Sequence, residues 1–205
     1  RVKADAEITA VKTVADLCFM AMKRRVSNEI LKPATLTTSF TAPIRIEVDE
    51  NATIPALIVN TFSQVGNEPF AYDKMLGTTT RKEFLLKAYV VSKILRNEVD
   101  GKYVGIMLPA LQSTTLLVAA TYLAGKIPVM LNWTVGPRVM EHCVESVNLK
   151  QVITAKAFFD KVADQLPGSV KTKCLFFEEK VRSATLGTKL SGLLSYYLKS
   201  KPATK

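Results

Sequence analysis

The stretch Tyr103-Val-Gly-Ile-Met-Leu-Pro-Ala-Leu-Gln-Ser-Thr-Thr-Leu-Leu-Val-Ala-Ala-Thr-Tyr-Leu-Ala-Gly-Lys-Ile-Pro-Val-Met-Leu131 decides the fold class. It begins and ends with a continuous apolar run of strand length, residues 103–108 and 127–131. Residues 115–124, between the two runs, are typical of a helix that Gly125 terminates. Two apolar strands separated by one helix predict a β-α-β unit, whose strands lie parallel in a sheet covered on both faces.

The same alternation continues on both sides of this stretch. Strands are predicted at residues 70–73, 151–154 and 174–177. Helices are predicted at residues 53–65, 81–97, 137–147, 155–165 and 183–198. With right-handed crossovers, these elements predict an α/β domain with a doubly wound, mostly parallel sheet and helices on both faces.

Polar residues mark the expected starts of two of these helices. Thr80-Arg-Lys-Glu83 has the spacing of a capping box, which predicts that a helix begins at Arg81. Either Ser113 or Thr114 is expected to cap the helix of residues 115–124, because a hydroxyl can accept from the first free N–H groups.

The N-terminal region has a different pattern. Apolar residues recur at helical spacing within residues 4–25, which predicts a helix. Residues 33–52 are rich in Thr, Ser and Pro and are expected to form a linker or loop. We therefore divide the chain into an N-terminal helix and linker, residues 1–52, and an α/β domain, residues 53–205.

Composition excludes several classes of protein. The 205 residues are 48% hydrophobic and 22% charged, which is typical of a chain with a packed core and not of a disordered one. The three cysteines, Cys18, Cys143 and Cys174, are far apart. Buried thiols in a reducing compartment are therefore favoured over disulfide bridges or a metal site.

The formal net charge of +10 is unevenly distributed. Residues 171–205 carry eight basic and two acidic side chains, whereas residues 34–170 carry thirteen and twelve. The basic segment is interpreted either as simply solvated or as attracted to acidic lipid headgroups. Because no basic element with interleaved aromatic residues is visible, nucleic acid is not an expected partner.

The sequence lacks the motifs of common catalytic sites. Neither a GxGxxG nor a GxxxxGK[ST] phosphate loop occurs. His142 is the only histidine, and on a helix it would not face its neighbour Cys143, which argues against a nucleophilic pair. The acidic pairs Asp49-Glu50 and Glu178-Glu179 are expected to be solvated. We therefore assign no catalytic residue and no metal ligand.

A substrate pocket is expected where the apolar strands end, because doubly wound sheets bind ligands beyond the carboxyl ends of their strands. These ends are the turns at residues 109–112 and 132–136. We predict that Asn132, Trp133 and Thr134 line the pocket, with Asn132 as a polar handle. Trp133 is interpreted either as a lid over the core or as a wall of the pocket.

From about residue 70 onward, the chain resembles the N-terminal part of the AMP-binding, adenylate-forming ligases. The segments that carry the resemblance, with the family patterns, are Thr80-Arg-Lys-Glu-Phe84 (TY-x-E-L), Val104-Gly-Ile-Met-Leu-Pro109 (V-G-I-x-L-P), Ala119–Leu131 (A-x-L-A-x-G-x-I-P-V-x-L) and Gln151-Val-Ile-Thr154. Arg81 and Ala110 stand where the family has an aromatic residue and Asn. Residues 130–136 and 152–161 are similar to bacterial acyl-acyl-carrier-protein synthetases, some of which carry an upstream lysophospholipid acyltransferase domain (2-acylglycerophosphoethanolamine acyltransferase).

The resemblance implies an enzyme that uses ATP and Mg²⁺ to convert a fatty acid to an acyl-adenylate. The acyl group would then pass to a phosphopantetheine thiol of acyl carrier protein or CoA, with onward transfer to a lysophospholipid as a further option. The family's phosphate loop would follow residue 205, so residues 1–205 alone are expected to be inactive and to bind neither cofactor.

The scattered cysteines favour a cytoplasmic protein, and the basic C-terminal segment gives peripheral attachment to the inner face of the cell membrane as a second option. The alternative function is a non-catalytic α/β binding or scaffold module, such as a degenerate adenylation domain.

Overall fold

A computed structural model describes residues 51–65, 67–73 and 77–199. The predicted helix of residues 4–25 lies outside the described residues, as does nearly all of the predicted linker of residues 33–52. The division of the chain after residue 52 therefore stays a prediction.

The described residues alternate between helices and strands, as the sequence predicts. The helices are α1 (Ile54–Val65), α2 (Arg81–Glu98), α3 (Gln112–Leu123), α4 (Pro137–Ser146), α5 (Lys156–Val162), α6 (Gly168–Lys171), α7 (Phe177–Ser183) and α8 (Leu186–Lys199). The strands are β1 (Pro69–Asp73), β2 (Gly77–Thr80), β3 (Tyr103–Ile106), β4 (Ile127–Met130), β5 (Val152–Thr154) and β6 (Cys174–Phe176). Single 3-10 turns at Trp133–Val135 and Ala163–Gln165 follow β4 and α5.

Strands β3 to β6 form a parallel sheet in the order β4-β3-β5-β6. The central strand β3 places Tyr103 opposite Ile127 of β4 and Ile106 opposite Ile153 of β5. A separate antiparallel hairpin, β1-β2, precedes α2. The parallel sheet confirms the predicted α/β fold class.

Helices cover both faces of this sheet. Ile106 of β3 belongs to a buried cluster with Leu95 of α2 and Leu117 of α3. The next residue, Met107, belongs to a second buried cluster with Met140 of α4. Because successive residues of an extended chain point to opposite faces, α3 and α4 lie on opposite faces, as predicted for a doubly wound sheet.

The predicted start of α3 is wrong. The helix begins at Gln112, and Leu111 occupies the N-cap position without a side-chain hydrogen bond to the helix. Neither Ser113 nor Thr114 caps it, because both lie inside the first turn. The Thr114 hydroxyl instead donates to the carbonyl oxygen of Pro109 at 2.6 Å, which fixes the turn that leaves β3.

The predicted helix of residues 183–198 corresponds to α8, which begins three residues later than predicted, and α7 before it is a helix that the sequence analysis does not predict. Ala184 between them is extended, with φ −60° and ψ 128°. The Thr185 hydroxyl accepts from the N–H of Thr188 at 3.1 Å, so it starts a new helix in the manner of an N-cap. Strand β6 consequently ends at Phe176, since Phe177 already begins α7.

Three smaller features also differ from the prediction. Strand β2, with the sequence Gly-Thr-Thr-Thr, has no apolar run and forms because it pairs with β1. The predicted helix of residues 155–165 ends as α-helix at Val162 and continues as a 3-10 turn. The four-residue helix α6 follows Pro167, whose fixed φ suits the start of a helix.

Helix α8 packs closely along α2. A Cβ atom added to Gly192 of α8 would lie 2.6 Å from Cα of Val90, so a side chain does not fit at this crossing. Tyr196, one turn further on, packs edge-to-face on Tyr89, with 6.2 Å between ring centroids. The opposite side of α8 carries five exposed apolar residues, Leu186, Leu190, Leu194, Tyr197 and Leu198.

The capping box of α2 is confirmed and predicts a pH-dependent contribution to stability. The Thr80 N–H donates to Glu83 Oε2 at 2.9 Å, and the Glu83 N–H donates to the Thr80 hydroxyl at 3.2 Å. The bond from the Thr80 N–H, followed by the bond to its side chain, holds the pKa of Glu83 below its usual value. This contribution is therefore present above the ordinary glutamate pKa and is lost as pH falls through the folded-state pKa.

We expect Thr80→Ala to lower the free energy of unfolding at pH 7 by about 1 kcal/mol, because the cap is lost. We also expect the Glu83 pKa to move part of the way back to its ordinary value, because alanine removes the hydroxyl of residue 80 but keeps its backbone N–H. NMR titration of the side-chain carboxyl measures this change. Thr78→Ala, at an exposed position of β2, is the matched control. An unchanged Glu83 titration in Thr80→Ala would contradict this interpretation.

Candidate functional site

A groove of about 760 Å³ lies at the carboxyl ends of strands β3 and β4, where the sequence predicts a pocket. Its walls are the segment after β3, the first half of α3, the end of β4 and strand β1. The lining residues are Ala71, Tyr72, Leu108, Ala110, Leu111, Gln112, Thr114, Thr115, Val118, Met130, Leu131, Asn132 and Trp133. Nine of these thirteen side chains are apolar or aromatic, and none carries a charge at neutral pH.

Two of the three predicted pocket residues line this groove. Trp133 forms part of its wall and also packs edge-to-face on Phe158, with 4.7 Å between ring centroids. The position of Trp133 is compatible with both interpretations, a lid over the core and a wall of the pocket. The side chain packs against the buried cluster around Met140 and also lines the groove. That these residues bind substrate stays a prediction.

Asn132 and Thr134 form a local turn at the end of β4. Asn132 Oδ1 accepts from the Thr134 N–H at 3.0 Å and from its hydroxyl at 2.8 Å. These bonds start the 3-10 turn of Trp133–Val135 and hold Trp133 in place. Thr134 does not line the groove, and its bonds instead orient the side chain of Asn132.

Gln112, the first residue of α3, is the most unusual polar residue of the groove. Its side chain is buried, with 8% of the residue exposed. Its Oε1 accepts from the Thr79 hydroxyl at 2.7 Å, whereas its Nε2 has no hydrogen-bond partner among the described residues. A buried donor without an acceptor costs about 1–3 kcal/mol. Gln112 and its partner Thr79 also line a smaller cavity of about 260 Å³ beside the groove.

Other candidate groups have structural roles. His142 is exposed, and its ring lies 3.4 Å from the Ser146 hydroxyl. Cys143 packs towards the core, so the two residues do not form a pair, as predicted.

Burial raises the pKa of the Cys174 thiol to about 11, which leaves this thiol protonated and poorly nucleophilic at neutral pH. Lys126 Nζ donates to the carbonyl oxygens of Val99 and Gly101 at 2.8 and 2.7 Å, at the amino end of the sheet.

The acidic pair Glu178-Glu179 lies in the first turn of α7 and is exposed, as predicted. In addition, Glu178 accepts from the N–H of Lys156 at 2.7 Å and thereby caps α5. The pair Asp49-Glu50 lies outside the described residues.

The described residues do not fit ATP and Mg²⁺. Within residues 51–65, 67–73 and 77–199, no group of three or more His, Cys, Asp and Glu side chains could hold a metal ion. The described residues that line the groove include neither a carboxylate for a hard cation nor a cationic side chain for phosphate. No step of a reaction is therefore assigned to these groups within the described chain.

The sequence predicts that the turns at residues 109–112 and 132–136 border the groove, but it does not identify all the residues that line it. Gln112 lies in the predicted turn of residues 109–112, yet nothing local indicates that its amide is buried and held by Thr79, 33 positions away. Ala71 and Tyr72 of β1 also border the groove, and a hairpin partner of this kind follows from tertiary packing rather than from a motif. The one sequence feature that could have indicated a role for Gln112 is its position between the end of a predicted strand and the start of a predicted helix.

No protein-family model matches the chain. Among solved structures, VinN is similar with a TM-score of 0.55 and 16% identity, over 71% of this chain and 36% of VinN. The N-terminal subdomain of Klebsiella oxytoca NpsA in complex with 3-hydroxybenzoyl-AMSN matches with a TM-score of 0.50 and 17% identity, over 64% of this chain and 32% of that one. A variant of the nonribosomal peptide synthetase FmoA3 bound to alpha-methyl-L-serine-AMP matches with a TM-score of 0.53 and 17% identity, over 68% of this chain and 16% of that one.

These similarities define the class of fold. The α/β sheet with helices on both faces is a fold that the chain shares with VinN and with the N-terminal subdomain of NpsA. The chain spans about a third or less of the length of the three structures. None of the described helices is long and apolar enough to cross a membrane.

Proposed function

We propose that this chain is the N-terminal subdomain of a ligase that activates a carboxylic acid by forming an acyl-adenylate. The observation that carries the proposal is the apolar groove at the carboxyl ends of β3 and β4, within a fold shared with the NpsA subdomain. The NpsA and FmoA3 structures contain 3-hydroxybenzoyl-AMSN and alpha-methyl-L-serine-AMP, respectively. The sequence patterns of the adenylate-forming ligases support the same function.

The proposed substrate is a fatty acid. A hydrocarbon chain gains about 0.8 kcal/mol for each methylene removed from water. The described residues that line the groove are mostly apolar, and none of them is charged. The proposed acceptor is the phosphopantetheine thiol of an acyl carrier protein, with CoA as the second acceptor, because residues 130–136 and 152–161 resemble carrier-protein synthetases. ATP and Mg²⁺ would be bound by parts of the enzyme other than the described residues.

Two further parts of the proposal rest on sequence alone. The basic segment of residues 171–205 supports peripheral association of a cytoplasmic enzyme with an anionic membrane surface. Onward transfer of the acyl group to a lysophospholipid rests on the resemblance to synthetases that carry an acyltransferase domain.

The test is ATP–pyrophosphate exchange by the complete gene product that contains residues 1–205. We expect exchange that depends on Mg²⁺ and on a fatty acid such as decanoate. Exchange with benzoate or an amino acid but not with decanoate would overturn the choice of substrate and leave the ligase class intact. A folded protein without exchange for any acid would support the non-catalytic binding module instead.

A substitution at Trp133 tests whether the groove belongs to the acid site. In the complete enzyme, we expect Trp133→Ala to raise KM for decanoate by about tenfold, the size expected for altered apolar contacts in a pocket, with little change in kcat. Val135→Ala, in the same 3-10 turn but outside the groove lining, is the matched control. Equal KM values for the two variants across acid chain lengths would argue that the groove is not the acid site.

A further inference from the structure

We infer that helix α8 inserts one exposed apolar side into an anionic lipid surface. This side, the α8 face, consists of Leu186, Leu190, Leu194, Tyr197 and Leu198, each of which is at least 59% exposed. The inference deepens the membrane association proposed above and rests on that part of the proposed function alone, because it assigns the contact with lipid to particular side chains.

The packing of α8 on α2 determines which side of the helix is exposed. Gly192 is buried at the crossing of the two helices, where an added Cβ would lie 2.6 Å from Cα of Val90. Leu186, Leu190 and Leu194 recur at every fourth position, so they lie on one side of the helix, away from this crossing. The α8 face therefore cannot turn towards the core without breaking the contact between α8 and α2.

Exposed apolar side chains are concentrated on α8. Of the thirteen large hydrophobic residues that are exposed among the described residues, five form the α8 face. Three others, Tyr72, Leu111 and Met130, line the groove. Single exposed hydrophobic residues are normal on a protein surface, whereas a contiguous patch indicates a surface that binds something. The α8 face shares no residue with the groove, so it is a separate candidate binding surface.

The charge around the α8 face is positive. Residues 180–205 contain six basic and no acidic side chains. Lys189 lies beside Leu186, about 60° further round the axis of α8, and Lys199 is the last residue of the helix. Lysine side chains can reach lipid headgroups while neighbouring leucines enter the apolar layer. An anionic lipid surface therefore complements both the charge and the apolar character of this helix.

A lipid surface fits the α8 face better than a second copy of the chain. A helix of 14 residues is about 21 Å long. One side of such a helix offers less than the roughly 800 Å² that each partner buries in a standard protein interface. Two copies would also bring their basic segments together. A bilayer needs no complementary shape, and an amphipathic helix lies in its headgroup region with the apolar side inwards.

Co-sedimentation of the complete gene product with vesicles tests the inference. The vesicles consist of phosphatidylcholine alone or of phosphatidylcholine with about one third of the anionic lipid phosphatidylglycerol. We expect binding to the mixed vesicles to be at least about tenfold stronger than binding to phosphatidylcholine, because each basic side chain near the surface adds attraction. High salt should weaken this binding, since it screens the charges.

Substitutions separate insertion of α8 from simple attraction between charges. Leu190→Ser combined with Leu194→Ser should weaken binding to the mixed vesicles at least about tenfold, because two apolar side chains no longer leave water. Val135→Ser combined with Val139→Ser, at exposed positions outside α8, is the matched control and should bind like the unmodified protein. Lys189→Gln should weaken binding to the mixed vesicles severalfold. Thermal unfolding of each variant shows that the comparison is made on folded protein.

Three results would overturn the inference. These are no binding to the mixed vesicles, equal binding to both kinds of vesicle, or unchanged binding after the two leucine substitutions. The last result would leave charge attraction as the whole of the membrane association. A dimer that the two leucine substitutions dissociate in analytical ultracentrifugation, without vesicle binding, would assign the α8 face to a second copy instead.

The same measurements distinguish this inference from the proposed ligase function. Vesicle binding that depends on Leu190 and Leu194, without pyrophosphate exchange by the complete gene product, would overturn the ligase function alone. Exchange without vesicle binding would overturn the membrane inference alone. Should the double leucine variant not fold, Leu190→Ser by itself and the comparison of the two kinds of vesicle decide the question.

Discussion

Replacing Gly192 by Val is expected to lower the free energy of unfolding by about 3 kcal/mol, at the upper end of the usual cost of overpacking. A Cβ at this position would lie 2.6 Å from Cα of Val90 and 3.1 Å from its backbone nitrogen. These are backbone atoms of α2, so the clash cannot be relieved by a change of side-chain rotamer. Helix α8 would have to move away from α2, which would also separate Tyr196 from Tyr89.

Gly187→Val, in the same helix, is the matched control for Gly192→Val. The nearest atom to its added Cβ, the Thr185 hydroxyl oxygen, is at an ordinary contact distance of 3.8 Å. Since valine has a slightly better helix propensity than glycine, we expect a change within about 0.5 kcal/mol. Urea denaturation followed by far-UV circular dichroism measures both variants. Equal losses of stability in the two would show that close helix contact is not the reason for glycine at 192.

Ile106→Ala is expected to cost about 3–4 kcal/mol, within the range for isoleucine truncation in a core. Ile106 lies in the central strand β3, is 0% exposed and packs in the cluster between the sheet and helices α2 and α3. Its removal leaves a cavity that two fixed layers cannot close. A loss of this size is a large fraction of the 5–15 kcal/mol typical of a domain.

Ile127→Ala provides the comparison for Ile106→Ala, with the same atoms removed from the edge strand β4. Ile127 is 36% exposed, so the loss should be about 1 kcal/mol. The difference between the two midpoints in urea measures how strongly the central strand contributes. If Ile106→Ala destabilised the protein no more than Ile127→Ala, the assignment of β3 to the core would be wrong.

Local signals explain why so much of the fold could be predicted. Strand β3 is a continuous apolar run ended by Pro109, and α2 begins with a capping box, so both follow from neighbouring residues. The parallel order of the strands follows from the helices between them. In contrast, β2 has the sequence Gly-Thr-Thr-Thr and forms only through its pairing with β1, where Thr80 lies opposite Pro69.

The candidate site also has one part that could be predicted from the sequence and one part that could not. The position of the groove follows from a general property of parallel sheets, so residues such as Asn132 and Trp133 could be named from the sequence. The bond between Thr79 and Gln112 could not, because it joins positions far apart in the chain and depends on how the hairpin meets α3. Tertiary contacts of this kind decide which polar residue is buried, and a single sequence does not contain them.

The central strand has a consequence for how the protein unfolds. Ile106 of β3 and Met107 immediately after it are each fully buried, but in clusters on opposite faces of the sheet. Breaking the strand therefore removes support from both layers at once, and neither layer can open without exposing the other. We therefore expect the sheet and its two layers to unfold as one cooperative unit, so that the amide protons of β3 exchange with solvent only through global unfolding.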